Sequence, residues 1–244
     1  MIPLRDTIPS QRFPIVNTII IALNVLVFLG ESILSPDQLD QFIWQWGLVP
    51  SRLWEGGGVA GWLTLFTSTF MHGGWWHLIS NMLALYIFGD NIEDRLGSVR
   101  YVLFYLCSGL AAGAVHLIAY SDSPLPTVGA SGAIAGVLGA YLVLYPQARV
   151  VTLVPIFYFI RIVELPALVY LGFWFISQLF NGFFALATTD VSLRGGVAWW
   201  AHIGGFIFGL AVIRVIAPRM SYTFYYDDDY DDLYPPLSDN RRRW

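Results

Sequence analysis

The chain has 244 residues, of which 56% are hydrophobic and only 12% charged, with a mean hydropathy of +0.59; a water-soluble domain carries roughly a quarter charged residues, so an ordinary soluble fold is excluded and a bilayer is indicated. The net charge of -4, with no basic cluster beyond Arg241, Arg242 and Arg243, gives no footing for a nucleic-acid partner. A single cysteine, Cys107, rules out a disulfide framework and a cysteine-based zinc site.

The opening "MIPLRDTIPSQRFP" leads into an apolar run that no small-residue cleavage pattern follows, so the run reads as a retained span behind a short tail, residues 1–12. A helix needs roughly 20 residues to cross a bilayer. Apolar runs of that length, or nearly so, fall at about 15–34, 74–92, 100–120, 131–145, 163–187 and 199–217. This predicts an all-α membrane protein whose six-span bundle occupies residues 13–218. The first connection, 35–73, carries Trp44, Trp46, Trp54 and Trp62, and indoles favour the headgroup layer. Between Arg149 and Arg161, "VVTLVPIFYFI" is too short to span and is expected to be interfacial. The tail 219–244 is acidic and poor in aliphatic residues, and disorder is the expectation for it. No internal repeat is evident. There is no lysine, and with six spans every arginine except Arg52 and Arg194 falls on one side of the membrane. The positive-inside rule makes that side cytoplasmic and puts both termini there.

Spans two, four and six then all start at the outer face. Their heads are "HGGWWHLISNM" (72–82), "GASGAIAG" (129–136) and "WWAHIGGFIFG" (199–209), which brings His77, Asn81, Ser131 and His202 to one level. The fourth run is only about 15 residues, roughly 22 Å long against a core of about 30 Å, so Ser131 starts below the outer surface. The preceding "YSDSPLPTVGA" must dip in as a reentrant loop, tolerated where protein or water surrounds it. Gly132, Gly136 and Ala140 in span four, and Ala201, Gly205 and Gly209 in span six, form small-residue ladders suited to a close helix crossing. Such a crossing sets Ser131 against His202, a nucleophile with a base in reach. His77 and Asn81, one turn apart, can join the amides at the head of span four in stabilising an oxyanion. The pair His72 and His77 has no acidic companion at ligand spacing, so no metal is expected, and His116 is expected to be structural.

These residues resemble the rhomboid family of intramembrane serine proteases, from "FPIVNTIIIALNVLVFL" through "HGGWWHLISNMLALYIFGDNIEDRLG" and "GASGAIAG" to "AHIGGFIFG". The resemblance implies a six-helix fold whose Ser–His dyad cleaves single-span or other membrane-protein substrates in or near their transmembrane segments, without a cofactor, in a bacterial plasma membrane. Ser131 matches the nucleophile, His202 the general base, His77 and Asn81 the oxyanion side chains, and Gly129 the loop glycine ahead of the serine. Two departures stand out. Ala135 replaces the aromatic residue that in some members sits under the histidine, so another group must orient His202; and "SRLW" reverses a Trp-Arg order found in the first loop of some members. The alternative readings are a catalytically silent, rhomboid-like protein that binds or chaperones membrane helices, and a channel or transporter using the same cavity.

Overall fold

The computed structural model describes residues 1–156, 159–187 and 197–218. In chain order the elements are β1 (Ile2–Asp6), α1 (Ile15–Ser32), α2 (Pro36–Trp46), α3 (Pro50–Trp54), α4 (Gly58–Thr67), α5 (Trp75–Leu96), α6 (Ser98–Ala119), α7 (Ser131–Leu144), β2 (Arg149–Ile156), β3 (Phe159–Pro166), α8 (Ala167–Ala187) and α9 (Trp199–Ile216). Each of the six apolar runs thus holds a helix. Helices α1, α6, α8 and α9 are long and apolar enough to cross a bilayer, and α7 is apolar but shorter. The last two turns of α5 carry Asp90, Glu93, Asp94 and Arg95, which interrupt its apolar stretch. The acidic tail and Arg194 lie outside the described residues.

Helix α7 is the centre of the bundle and packs against α5, α6, α8 and α9. Its residues are small or apolar on every side, the pattern of a helix with no solvent face, and Gly132 through Tyr141 are buried without a break. The small-residue ladders work at the level of the backbone. A methyl group on Gly205 would run into the carbonyl oxygen of Gly132, and one on Gly209 into that of Gly136. Gly132 and Gly136 themselves open toward α6, where Ala112 and Ser108 occupy the space a side chain would need. The three helices therefore stack at main-chain distance, as small-residue interfaces allow.

A buried carboxylate organises the opposite end. Glu93 accepts from the backbone N–H of Val16 (3.1 Å) and of Asn17 (2.7 Å), the first turn of α1, and from the Ser98 hydroxyl (2.6 Å) at the start of α6. Asn17 in turn donates to Leu85 O (3.0 Å) on α5 and accepts from the Tyr101 hydroxyl (2.7 Å) on α6. An acidic group at a helix N-terminus both satisfies open amides and complements the helix dipole.

Two stretches differ from the sequence reading. Residues 149–156 and 159–166 form the antiparallel pair β2 and β3, with Ile156 opposite Phe159 and Arg149 opposite Pro166, and β1 joins the far edge of β2. Val150, Val151, Thr152 and Val154 are β-branched and fit a pleated sheet better than a helix, and β1 comes from residues 2–6, read from sequence as a tail. The fifth helix accordingly starts at Ala167, after Pro166 ends the strand, and not at 163. The connection 35–73 is itself helical: Ser35 and Gln38 make a capping box on α2. Arg52 donates to the carbonyls of Trp44 (2.6 Å) and Gly47 (3.1 Å) at the end of α2 while lying 5.6 Å from the centre of the Trp44 ring. The aromatic partner of this arginine is eight residues upstream, not Trp54 two residues on.

Candidate active site

The heads of α5, α7 and α9 meet at one end of the bundle. Ser131 is the first residue of α7 and His202 lies in the first turn of α9. The glycine contacts between these helices bring Ser131 Oγ to 2.7 Å from His202 Nε2, across 71 residues of sequence. Both side chains line a cavity of about 820 Å³, together with His77, Asn81, His116, Tyr120, Tyr170 and Trp174. His202 is only 9% exposed, so the pair meets away from bulk solvent.

Gly129 has a φ of 137°, a conformation that side chains other than hydrogen rarely adopt. Its N–H donates to Ser68 O at 2.8 Å, which pins the loop ahead of Ser131. A methyl group on Gly129 would stand 2.8 Å from His77 Cε1 and Nε2 and 3.5 Å from Ser131 Oγ. The missing side chain is therefore what lets the His77 ring lie against the loop ahead of Ser131. His77 Nδ1 accepts from the Gly73 N–H at 3.4 Å, so a neutral ring carries its proton on Nε2, the edge that faces Gly129. Asn81 is 7% exposed, and its Nδ2 is buried with no acceptor among the described residues. Among the described residues no side chain caps the N-terminus of α7. The site thus gathers an amide side chain with no acceptor among the described residues, an imidazole edge and the first-turn amides of a helix, an arrangement suited to developing negative charge.

His116 pairs with Thr127 Oγ1 at 2.9 Å and packs beside Tyr120, one turn from the end of α6. It braces the loop that leads to Ser131 and does not touch the serine. His72 packs edge-on against His77, with ring centres 5.1 Å apart. Among the described residues no group of three or more His, Cys, Asp or Glu side chains is placed to hold a metal ion.

Ala135 is fully buried, and a methyl on Gly205 would stand 3.4 Å from its Cβ, so the α7–α9 crossing leaves no room there for an aromatic ring. The surroundings of His202 come from α8 instead. Trp174 lies 5.8 Å from the imidazole at an interplanar angle of 35°, and Gln178 Oε1 is 2.8 Å from His202 Nδ1. Sequence reasoning missed Gln178. The available signal was a polar side chain in the middle of an apolar run, which must find a partner in a membrane; which face it occupied was not legible.

Residues 59–219 match the family model described as the Rhomboid domain. Over 192 residues the chain is 31% identical to the rhomboid protease GluP of Bacillus subtilis (strain 168), an alignment covering 75% of this chain and 36% of that protein. It is 35% identical over 96 residues to the mitochondrial Rhomboid protein 1 of Saccharomyces cerevisiae, covering 38% of this chain and 28% of the relative. With RHOMBOID-like protein 5 of Arabidopsis thaliana it shares 38% identity over 78 residues, 32% of this chain and 25% of the relative. The chain thus spans between about a quarter and a little over a third of the length of these curated relatives.

Proposed function

The chain belongs to the rhomboid family, as a mostly helical, multi-pass integral membrane protein, and on that premise we propose that it is an intramembrane serine protease. The observation that carries this reading is the 2.7 Å approach of Ser131 Oγ to His202 Nε2 inside a cavity that Asn81 and His77 also line. In the proposed reaction His202 Nε2 takes the Ser131 proton as Oγ attacks the scissile carbonyl of a membrane-protein substrate. The oxyanion is held by the amides at the head of α7, His77 Nε2–H and Asn81 Nδ2–H. The protonated His202 gives its proton to the leaving amine, which departs and leaves an acyl group on Ser131. His202 then removes a proton from water, which attacks the ester, and returns that proton to Ser131 Oγ as the C–O bond breaks and the acid product leaves. The substrate segment must be extended when it reaches Ser131, because helical carbonyls are already hydrogen-bonded and screened by their own helix.

The proposed setting is a bacterial plasma membrane; the arginine asymmetry supports six spans with both termini cytoplasmic. Incubation of the purified protein and its Ser131→Ala form with a panel of single-span substrates tests the reading. Cleavage by the first alone, with Ser131 labelled by a serine-directed phosphonate, is the expected result. A phosphonate-inert Ser131, with substrates bound but uncut, would favour a silent helix-binding protein.

A further inference from the structure

A hydroxyl can donate or accept, so the contact between Ser131 and His202 Nε2 does not by itself say which of the two carries the proton. For His202 to serve as base, its neutral ring must be protonated at Nδ1 and bare at Nε2. The surroundings of Gln178 decide the matter. Ser177 gives its only hydroxyl hydrogen to Trp174 O at 2.6 Å. One end of the Gln178 amide lies 3.1 Å from Trp174 O and 2.9 Å from Ser177 Oγ. Both of those atoms are acceptors, so that end is the NH2 group. The carbonyl end then faces His202 Nδ1 at 2.8 Å, and a carbonyl oxygen can only accept. Nδ1 must therefore be the donor. Gln178 is 5% exposed and on the element that also supplies Trp174, so neither the amide nor the ring is free to turn.

We propose that Gln178 is a positioning residue that locks His202 in the Nδ1–H tautomer and aims bare Nε2 at Ser131. It supplies from α8 an orienting contact to His202 that Ala135 cannot make. The proposal rests on the reading of Ser131 and His202 as nucleophile and base. Being neutral, the amide orients the ring and selects its tautomer without lending it the negative charge that a carboxylate partner would supply.

The test uses the full chain with 15N-labelled imidazoles in detergent micelles. It has only 4 histidines, so the His202 signals are assigned by their loss in His202→Ala. The wild type is expected to carry the His202 proton on Nδ1. Gln178→Met keeps the volume but removes the acceptor; it should move the proton toward Nε2 and lower kcat by about 10–100-fold, the range that loss of an orienting partner costs a metal-bound histidine, with little change in KM. Gln178→Glu restores an acceptor and should recover the Nδ1–H signal and part of the rate. A Gln178→Met protein that retained both the Nδ1–H tautomer and wild-type turnover would overturn the proposal. Should that variant fail to fold, Gln178→Asn withdraws the acceptor by one methylene and the same two readings decide. Cleavage by Ser131→Ala would instead sink the protease reading, while the tautomer, measured without turnover, would still report on Gln178.

Discussion

Of the site residues Ser131, His202, His77 and Asn81, three carry a specific expected response. Ser131→Ala and His202→Ala should each abolish measurable proteolysis, and the double mutant should be no worse, because groups acting as one unit are far from additive. Asn81→Ala should cost roughly 10²–10³ in rate, the loss typical of one oxyanion donor, since His77 and the α7 amides remain; single-turnover cleavage measures it. His72 makes a separate prediction about stability. Burial, reinforced by the neighbouring His77, pushes its imidazole down from 6.5 to about 4. Folded protein therefore keeps His72 neutral where an unfolded chain would protonate it. The sign follows: stability is undiminished above pH 6.5 and is lost as pH falls from there toward 4. Thermal unfolding at pH 7 and pH 5 should show a smaller drop for His72→Gln than for the wild type. These four site residues were legible because each is a chemically able side chain at the head of an apolar run. Gln178 was not, because its partner lies 24 positions away on another helix and nothing in an aromatic run fixes the rotation of that helix.

Among the elements, α7 and α9 are joined by glycines whose replacement has a directional outcome. Gly209→Val places a side chain against the Gly136 carbonyl and should lower stability by at least the roughly 1–3 kcal/mol of an overpacked core. Gly30 on α1 has no neighbour within 4 Å of an added methyl, so Gly30→Ala is the control and should be neutral or mildly stabilising. Thermal midpoints in detergent compare the two. Helix α8 is joined to α9 by ring contacts, Phe175 stacked on Phe206 at 4.5 Å and Phe183 edge-on to Trp200 at 5.3 Å. If a substrate helix enters beside α8, Phe183→Ala should preserve or raise kcat/KM for a membrane substrate, and loss of all activity in a folded variant would move the entry point elsewhere. Helices were readable from hydropathy because length and apolarity alone identify them. The sheet was not: β2 is eight residues of β-branched and apolar character, a length at which periodicity cannot separate strand from helix, and its partner β1 lies some 150 residues earlier in a segment with no apolar run.

For the whole molecule, the arginine distribution predicts that a reporter fused to the C-terminus reads on the same side as one fused to the N-terminus, the cytoplasmic side. Opposite readings would require an odd number of crossings and would separate the levels of Ser131 and His202. One further property follows from the sheet. Helix α8 continues directly from β3, and its first residues are held by Ala167 N–H to Ala148 O (2.7 Å) and Leu168 N–H to Pro146 O (3.3 Å). One end of the helix is therefore clamped to the turn after α7, while the aromatic contacts with α9 lie further along. A rod clamped at one end swings most at the other, and there Phe183 meets Trp200 and the Trp200 indole N–H donates to Gly182 O at 3.2 Å, contacts that must part before the helix can swing. At 1.5 Å per residue the lever is about 31 Å long, so a swing of about 10° displaces the far end by about 5 Å, close to the width of one extended chain. The arm is longest toward the Ser131 end of the bundle, so once those contacts part a small rotation at the sheet would open a strand-wide gap there.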